Sequence, residues 1–286
     1  MTNHPMQIEE IILKNDIRGI SLMSKFIEHD SCKNASNLIL NNVGTVFITT
    51  GFFILSAKTP ETDGPPGAIF LGNALEKLGY RVTYITDKYC SPLLRAAKSH
   101  QAQIIEFPIM NIDESKKYSK KLLQTENPNI LISIERCGAS VDYKYRNMKN
   151  EDISDFTAKI DYLFNIHPKT IGIGDGGNEI GMGNIKDHIS QSKTLVTYPT
   201  MSEVTNLIIS SVSNWGAYGL LAAISIARKQ NLLPSIKDQT SLIKKIVDLG
   251  AVDGFSGTKE YKVDGKNLEE NNDILSQLHQ LVDNNI

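Results

Sequence analysis

The chain has 286 residues, 41% of them hydrophobic, and balances 30 Lys and Arg against 32 Asp and Glu for a formal net charge of -2. That is enough apolar material to bury a core, and the near-neutral charge offers no broad positive field to attract nucleic acid or anionic lipid. Cys32, Cys90 and Cys137 are too scattered for a disulfide framework or a zinc knuckle, the start MTNHPMQIEEIILKND is too polar for a secretory signal, and no run reaches the roughly 18 to 20 apolar residues of a membrane span.

The expectation is a cytoplasmic α/β protein. Residues 1–40 read as an N-terminal helical extension and 41–286 as a single α/β domain. TVFITT (45–50) reads as a strand, followed by a loop rich in Thr, Pro and Gly and by the helical pattern AIFLGNALEKLG ending at Gly79. YRVTYITD (80–87) is a second strand, SPLLRAAKSH a helix opened by Ser91 and Pro92, and AQIIEFP a third strand. DESKKYSKKLLQTENP reads as a helix, NILISIER (129–136) as a strand, ISDFTAKIDYLFN as an amphipathic helix and KTIGIG (169–174) as another strand. TLVTYP (194–199) is expected to be a further strand and 206–230 one long apolar helix. SLIKKIVDLG, TKEYKVDGKN and LEENNDILSQLHQLV then read as helix, short strand with a D-G turn, and terminal helix. Strands alternating with helices imply a mainly parallel, doubly wound, Rossmann-like sheet with helices on both faces.

In such sheets ligands bind where the strand-to-helix loops converge. SAKTPETDGPPG, RCGASVDYKYRNM, GDGGNEIGMG and TMSEVTN should all fall on that edge. Gly172, Gly174 and Gly177 satisfy G-x-G-x-x-G, so the alternative is an NAD(P)-dependent oxidoreductase, or a non-catalytic nucleotide- or amino-acid-binding module. Against a phosphate cradle, the loop carries Asp175 and Glu179 and no cation before Lys186. Two carboxylates would repel pyrophosphate. The competing reading turns Asp175, Asn178 and Glu179 into one small cavity suited to an ammonium group, proton transfer or a divalent cation. A capped helix start would explain Asp175 or Asn178 more blandly, but Gly181, Met182 and Gly183 are poor helix formers to place immediately afterwards. The six histidines show no paired spacing, so neither a histidine metal site nor a triad is expected.

TGFFI, PETDGPPGA, GYRVTYITD, ISIERCG, GIGDGGNEIGMGNI, VSNWGAYGL and SGTKEYKVDG, in this order, resemble the D-glutamate cyclase family across roughly residues 40 to 284. The resemblance implies a hydro-lyase that converts D-glutamate into 5-oxo-D-proline and water. It also implies a D-G-x-Y-Y-N-M-R-G-like segment after the E-R pair; here that segment runs from Asp142 to Asn150 and lacks both glycines.

Lactam closure needs a cation for the α-carboxylate, a group to bind and deprotonate the ammonium, and a proton donor or metal at the γ-carboxyl. Asp175, Glu179 and Asp63 are the expected catalytic groups, one carboxyl of a crowded pair serving as the acid. Arg136, whose bland alternative is an ion pair with Glu135, is expected to grip the substrate carboxylate. Asn178, Gly176 and Gly177 complete that wall, and Lys58, Glu61 and Asp63 the facing one, Asp63 being equally readable as an N-cap or turn residue. No cofactor is certain; magnesium or manganese would suit the oxygens of Asp63, Asp175, Asn178 and Glu179. The expected partner is a small molecule, D-glutamate or 5-oxo-D-proline.

Overall fold

The structure, a computed structural model, describes residues 7–286; the first six residues of the expected N-terminal extension lie outside the described part. In chain order the elements are α1 (Ile8–Ile12), a 3-10 helix (Ile20–Phe26), α2 (Ser31–Leu40), β1 (Thr45–Thr49), β2 (Phe53–Ile54), β3 (Thr59–Pro60), α3 (Pro65–Lys77), β4 (Arg81–Thr86), α4 (Ser91–Ala97) and β5 (Gln103–Glu106). They continue with α5 (Ile112–Glu126), β6 (Ile130–Ile134), a 3-10 turn (Ser154–Phe156), α6 (Asp161–Phe164), β7 (Thr170–Gly174), a 3-10 turn (Met182–Ile185), α7 (Lys186–Ile189), β8 (Asn206–Ile209), α8 (Ser213–Arg228), α9 (Ile236–Asp248) and α10 (Leu268–Asp283).

Six strands form one parallel sheet in the order β5-β4-β1-β6-β7-β8, and β2 with β3 makes a small antiparallel pair. Counting only the six parallel strands along the chain, the order is 3-2-1-4-5-6, the dinucleotide-fold topology whose direction reverses between β1 and β6. The period of two sorts the strand side chains. Val46, Ile48, Ile130, Ile132, Ile171 and Ile173 point into a core shared with α3, α8 and α10, whereas Phe47, Ile85, Leu131 and Ile209 point into a second core with Phe164 and Ile189. Ile11, Ile12, Cys32, Ala35 and Ile39, from the first 40 residues, belong to the first core.

Four elements depart from the sequence expectation. The last strand is Asn206–Ile209, not 194–199, and the long helix expected from 206 begins only at Ser213. LIISSV (207–212) is continuously apolar or small, so periodicity cannot tell a buried strand from a buried helix there. Residues 153–165 form a 3-10 turn and a four-residue helix instead of one amphipathic helix. Tertiary bonds win locally: the Ala158 carbonyl accepts from Arg136 Nη2 at 2.8 Å, and Asp161 accepts from Ala139 N at 3.2 Å and from the Tyr145 hydroxyl. In TKEYKVDGKN, pairing is confined to the bridge between Val263 and Lys266, and Asp264 (φ 52) and Gly265 (φ 76) form the D-G turn.

Candidate active site

The glycine fingerprint has a packing origin. Gly172 and Gly174 turn their missing side chains toward residues 179–182, where a Cβ on Gly172 would lie 2.5 Å from the Ile180 carbonyl and one on Gly174 would lie 2.9 Å from the Glu179 Cβ. The strand is bare so that the following loop can cross the sheet. The amides that would cradle phosphate are already occupied: Gly176 N donates to Glu179 Oε1 at 2.9 Å and Gly177 N to Oε2 at 2.8 Å. Here the anion is the protein's own carboxylate, which displaces the dinucleotide reading of Gly172, Gly174 and Gly177.

Two helix N-termini meet beside it. Asp63 accepts from Ser213 N at 2.7 Å and Asn214 N at 2.8 Å, capping α8 from another loop. In return, Asn214 Oδ1 accepts from Gly64 N at 3.1 Å and Gly67 N at 2.7 Å at the start of α3. Both helix dipoles therefore point positive ends at the switch point between β1 and β6. Glu135, immediately after β6, is held there with φ 47, a left-handed conformation that costs a non-glycine residue about 1–2 kcal/mol. Its Oε2 accepts from the Ser213 hydroxyl at 2.6 Å.

A cavity of about 80 Å³ opens at this point, lined among others by Arg18, Glu61, Glu135, Asp175, Asn178, Glu179 and Asp264. It is far below the roughly 300–1,000 Å³ of pockets for drug-sized ligands. Arg18 spans its wall, with Nη1 2.6 Å from Asp175 Oδ1 and Nη2 2.7 Å from Asp264 Oδ2. Asp175 Oδ2, Asp264 Oδ1 and Asn178 Oδ1 are buried without a hydrogen-bond partner. Among the described residues, these are open acceptors facing a polar cavity.

Burial pushes the Glu135 carboxyl well above its ordinary value, reinforced by the charges of Asp175 and Glu179. Glu61 is pushed well up by burial and by Asp264, and Asp175 is raised by burial against the pull of Arg18. Asp63 rises to about 8 through burial and Asp264, opposed by the amides of Asn214 and Ser213. Glu179 is also raised by burial, but its backbone hydrogen bonds and Arg18 hold it back. Neutral and ionised carboxyls are thus set side by side.

Not every expected residue joins the cavity. Arg136 lies behind it, 1% exposed, its Nη1 2.7 Å from Asp87 Oδ2 and bonded to the Gly51 carbonyl; its ionic partner is Asp87, not Glu135. Lys58 is exposed on the turn between β2 and β3 and does not line the cavity. Asn178 lines it, with Nδ2 donating to the Arg146 carbonyl at 2.8 Å. Asp63, Glu135 and Asp175 bring oxygen atoms within 4.8 Å of one another, a hard-oxygen set of the kind magnesium or manganese takes. Glu179 is outside that group because its two oxygens face the glycine amides. The loop TMSEVTN packs behind the site, where a Cβ on Gly138 would meet the Thr200 hydroxyl at 2.3 Å.

Sequence reasoning missed Arg18 and Asp264. Asp264 was read only as half of a turn. Arg18 lies in the first 40 residues, where Asp16 accepts from Arg18 N, Gly19 N and Ser21 N, each at 2.9 Å, to aim the backbone. Burial opposes that Asp16 charge, but these bonds and the Ser21 hydroxyl hold its carboxyl below the ordinary range.

Fold and site define a Rossmann-like α/β protein with an acidic, small-molecule-sized cavity, braced by one buried arginine, at the switch point. The chain belongs to the D-glutamate cyclase-like C-terminal family, which matches residues 8–279. It is 29% identical over 320 aligned residues to a protein of Homo sapiens named D-glutamate cyclase, mitochondrial, covering 93% of this chain and 50% of that one. The chain therefore spans about half the length of this curated relative. The match reaches residue 8, including the segment that carries Arg18. Among the described residues, no helix is long and apolar enough to cross a membrane.

Proposed function

We propose that the chain is a hydro-lyase that closes D-glutamate into 5-oxo-D-proline and water. The observation that carries this reading is the set of buried carboxyls gathered around one small cavity, with Glu135 and Glu61 pushed well up by burial while two glycine amides hold Glu179 back. Pairs of carboxyls forced apart in this way assign acid and base.

In the zwitterionic substrate, three protons sit on nitrogen. Two must reach one γ-carboxyl oxygen, which departs as water as the N–C bond forms and that C–O bond breaks; the third stays on the lactam nitrogen. No proton is drawn from solvent, and neither electrons nor a phosphoryl group need be supplied. Asp175, with Glu179 beside it, receives the ammonium and takes two protons from it in turn; protonated Glu135 donates the first proton to the departing γ-carboxyl oxygen, and the two taken from nitrogen supply the second and restore Glu135. Asp63 acts behind them by fixing the start of α8. General acid-base transfer of this kind is worth about 10² to 10⁴-fold; holding the two ends of one molecule together supplies the rest.

Were magnesium or manganese bound, Asp63, Glu135 and Asp175 would hold it and it would supply Lewis-acid assistance. The free, buried Cys32, Cys90 and Cys137 suit a reducing compartment such as the cytoplasm. The test is purified protein with each glutamate enantiomer, without ATP or NAD, before and after chelation. Formation of 5-oxoproline from the D enantiomer supports the reading, and abolition by chelator assigns the metal. Absence of product under every condition refutes it.

A further inference from the structure

Resting on the reading above, we infer that Arg18 is the α-carboxylate anchor and, with Asp175, forms a template for an α-amino-acid zwitterion. An α-amino acid carries its carboxylate and ammonium on one carbon. A site that recognises both must present a cation and an anion side by side at hydrogen-bond distance. Arg18 and Asp175 meet at 2.6 Å inside the cavity and do so. Arg18 retains a buried Nη1 whose donor geometry is unsatisfied, and Asp175 an unpartnered Oδ2. Each partner therefore keeps a free face for the opposite group of the ligand. With Nη2 held by Asp264, the ligand carboxylate takes a single charge-assisted bond from Nη1.

The alternatives fail on position. Arg136 is spent on Asp87, Gly51 and Ala158, and Lys149, which also lines the cavity, is exposed. The Arg18 backbone is fixed by Asp16 and by Thr194 Oγ1, which donates to its carbonyl at 2.5 Å. Its charge is held firmly: burial opposes it, while Asp175, Asp264 and Glu135 more than compensate.

The test compares 5-oxo-D-proline with 2-pyrrolidinone, the same lactam without its carboxylate, by calorimetry on the full chain, and D-glutamate with 4-aminobutyrate in turnover. Wild-type protein should bind the carboxylate-bearing lactam about 10 to 100-fold more tightly, the range of a charge-assisted pair. Arg18→Ala should erase that preference and raise KM for D-glutamate more than it lowers kcat, with Arg18→Lys restoring part of both. Equal losses for both ligands in Arg18→Ala, or no preference in wild type, would overturn the inference. Failure of wild-type turnover with the binding preference intact would remove the proposed reaction and leave the anchor standing. Circular dichroism identifies any misfolded variant, in which case Arg18→Lys and the wild-type binding preference decide.

Discussion

Glu179 and Gly177 are joined by a 2.8 Å bond from amide to carboxylate, so the glycine turn after β7 is closed by an internal anion. A glutamine at position 179 would present one NH2 group to an amide that can only donate. Glu179→Gln should therefore leave Gly176 N or Gly177 N buried and unsatisfied, at a cost of about 1–3 kcal/mol. Urea unfolding measures this as a lower midpoint at unchanged slope; equal midpoints would mean the turn does not depend on the carboxylate.

Stability should fall as pH rises from about 5 to 8. Glu61 and Glu135 are raised well above their ordinary values, and Asp63 reaches about 8. The folded chain then keeps protons that the unfolded chain has already released above about pH 4.5, and stability declines wherever the folded state binds more protons. The contribution is complete below the unfolded values and is lost as pH climbs through the folded ones. Glu135→Gln removes one of these sites, so its melting temperature should vary less with pH across that window. A slope equal to that of wild type would remove Glu135 from the set of protonated carboxyls.

The loop from Asp142 to Asn150 lacks the two glycines that the family resemblance implies, yet Tyr143 (φ 61) and Asn150 (φ 68) both adopt the left-handed conformation that glycine would favour. The loop keeps its shape at a cost carried mainly by tyrosine, since asparagine tolerates that region. Tyr143 is 61% exposed, so little packing is lost with its ring. Tyr143→Gly should gain up to about 1 kcal/mol, read as a higher denaturation midpoint; a lower one would show that the ring makes a compensating contact.

Gly254 faces Glu61. A Cβ there would fall 1.7 Å from Glu61 Oε2 and 2.8 Å from Asp264 Oδ1. Gly254→Ala must displace the Glu61 carboxyl, and misplacement by an ångström costs on the order of 100-fold in rate. Steady-state kinetics should show that loss with the melting temperature little changed; full activity would place Glu61 outside the chemistry.

The parallel sheet and the acidic character of the glycine loop were legible because strand periodicity and residue chemistry are local. Where apolar and small residues ran together, at 207–212, the strand and helix merged, and where tertiary bonds captured backbone groups, at Ala158 and Asp161, an expected helix was cut short. Asp175, Asn178 and Glu179 were visible as a motif in one loop. Arg18 and Asp264 were not, because a site assembled from opposite ends of the chain has no spacing to read. Arg136 looked well placed at a strand end, but the sequence cannot say that Asp87 from the neighbouring strand would claim it.

The most direct test is turnover of D-glutamate by wild type and by Asp175→Asn, with folding checked by circular dichroism. The account predicts 5-oxoproline from the wild-type chain without ATP or NAD, and at least about a 100-fold lower kcat in the folded variant. Equal turnover by the two proteins would contradict it.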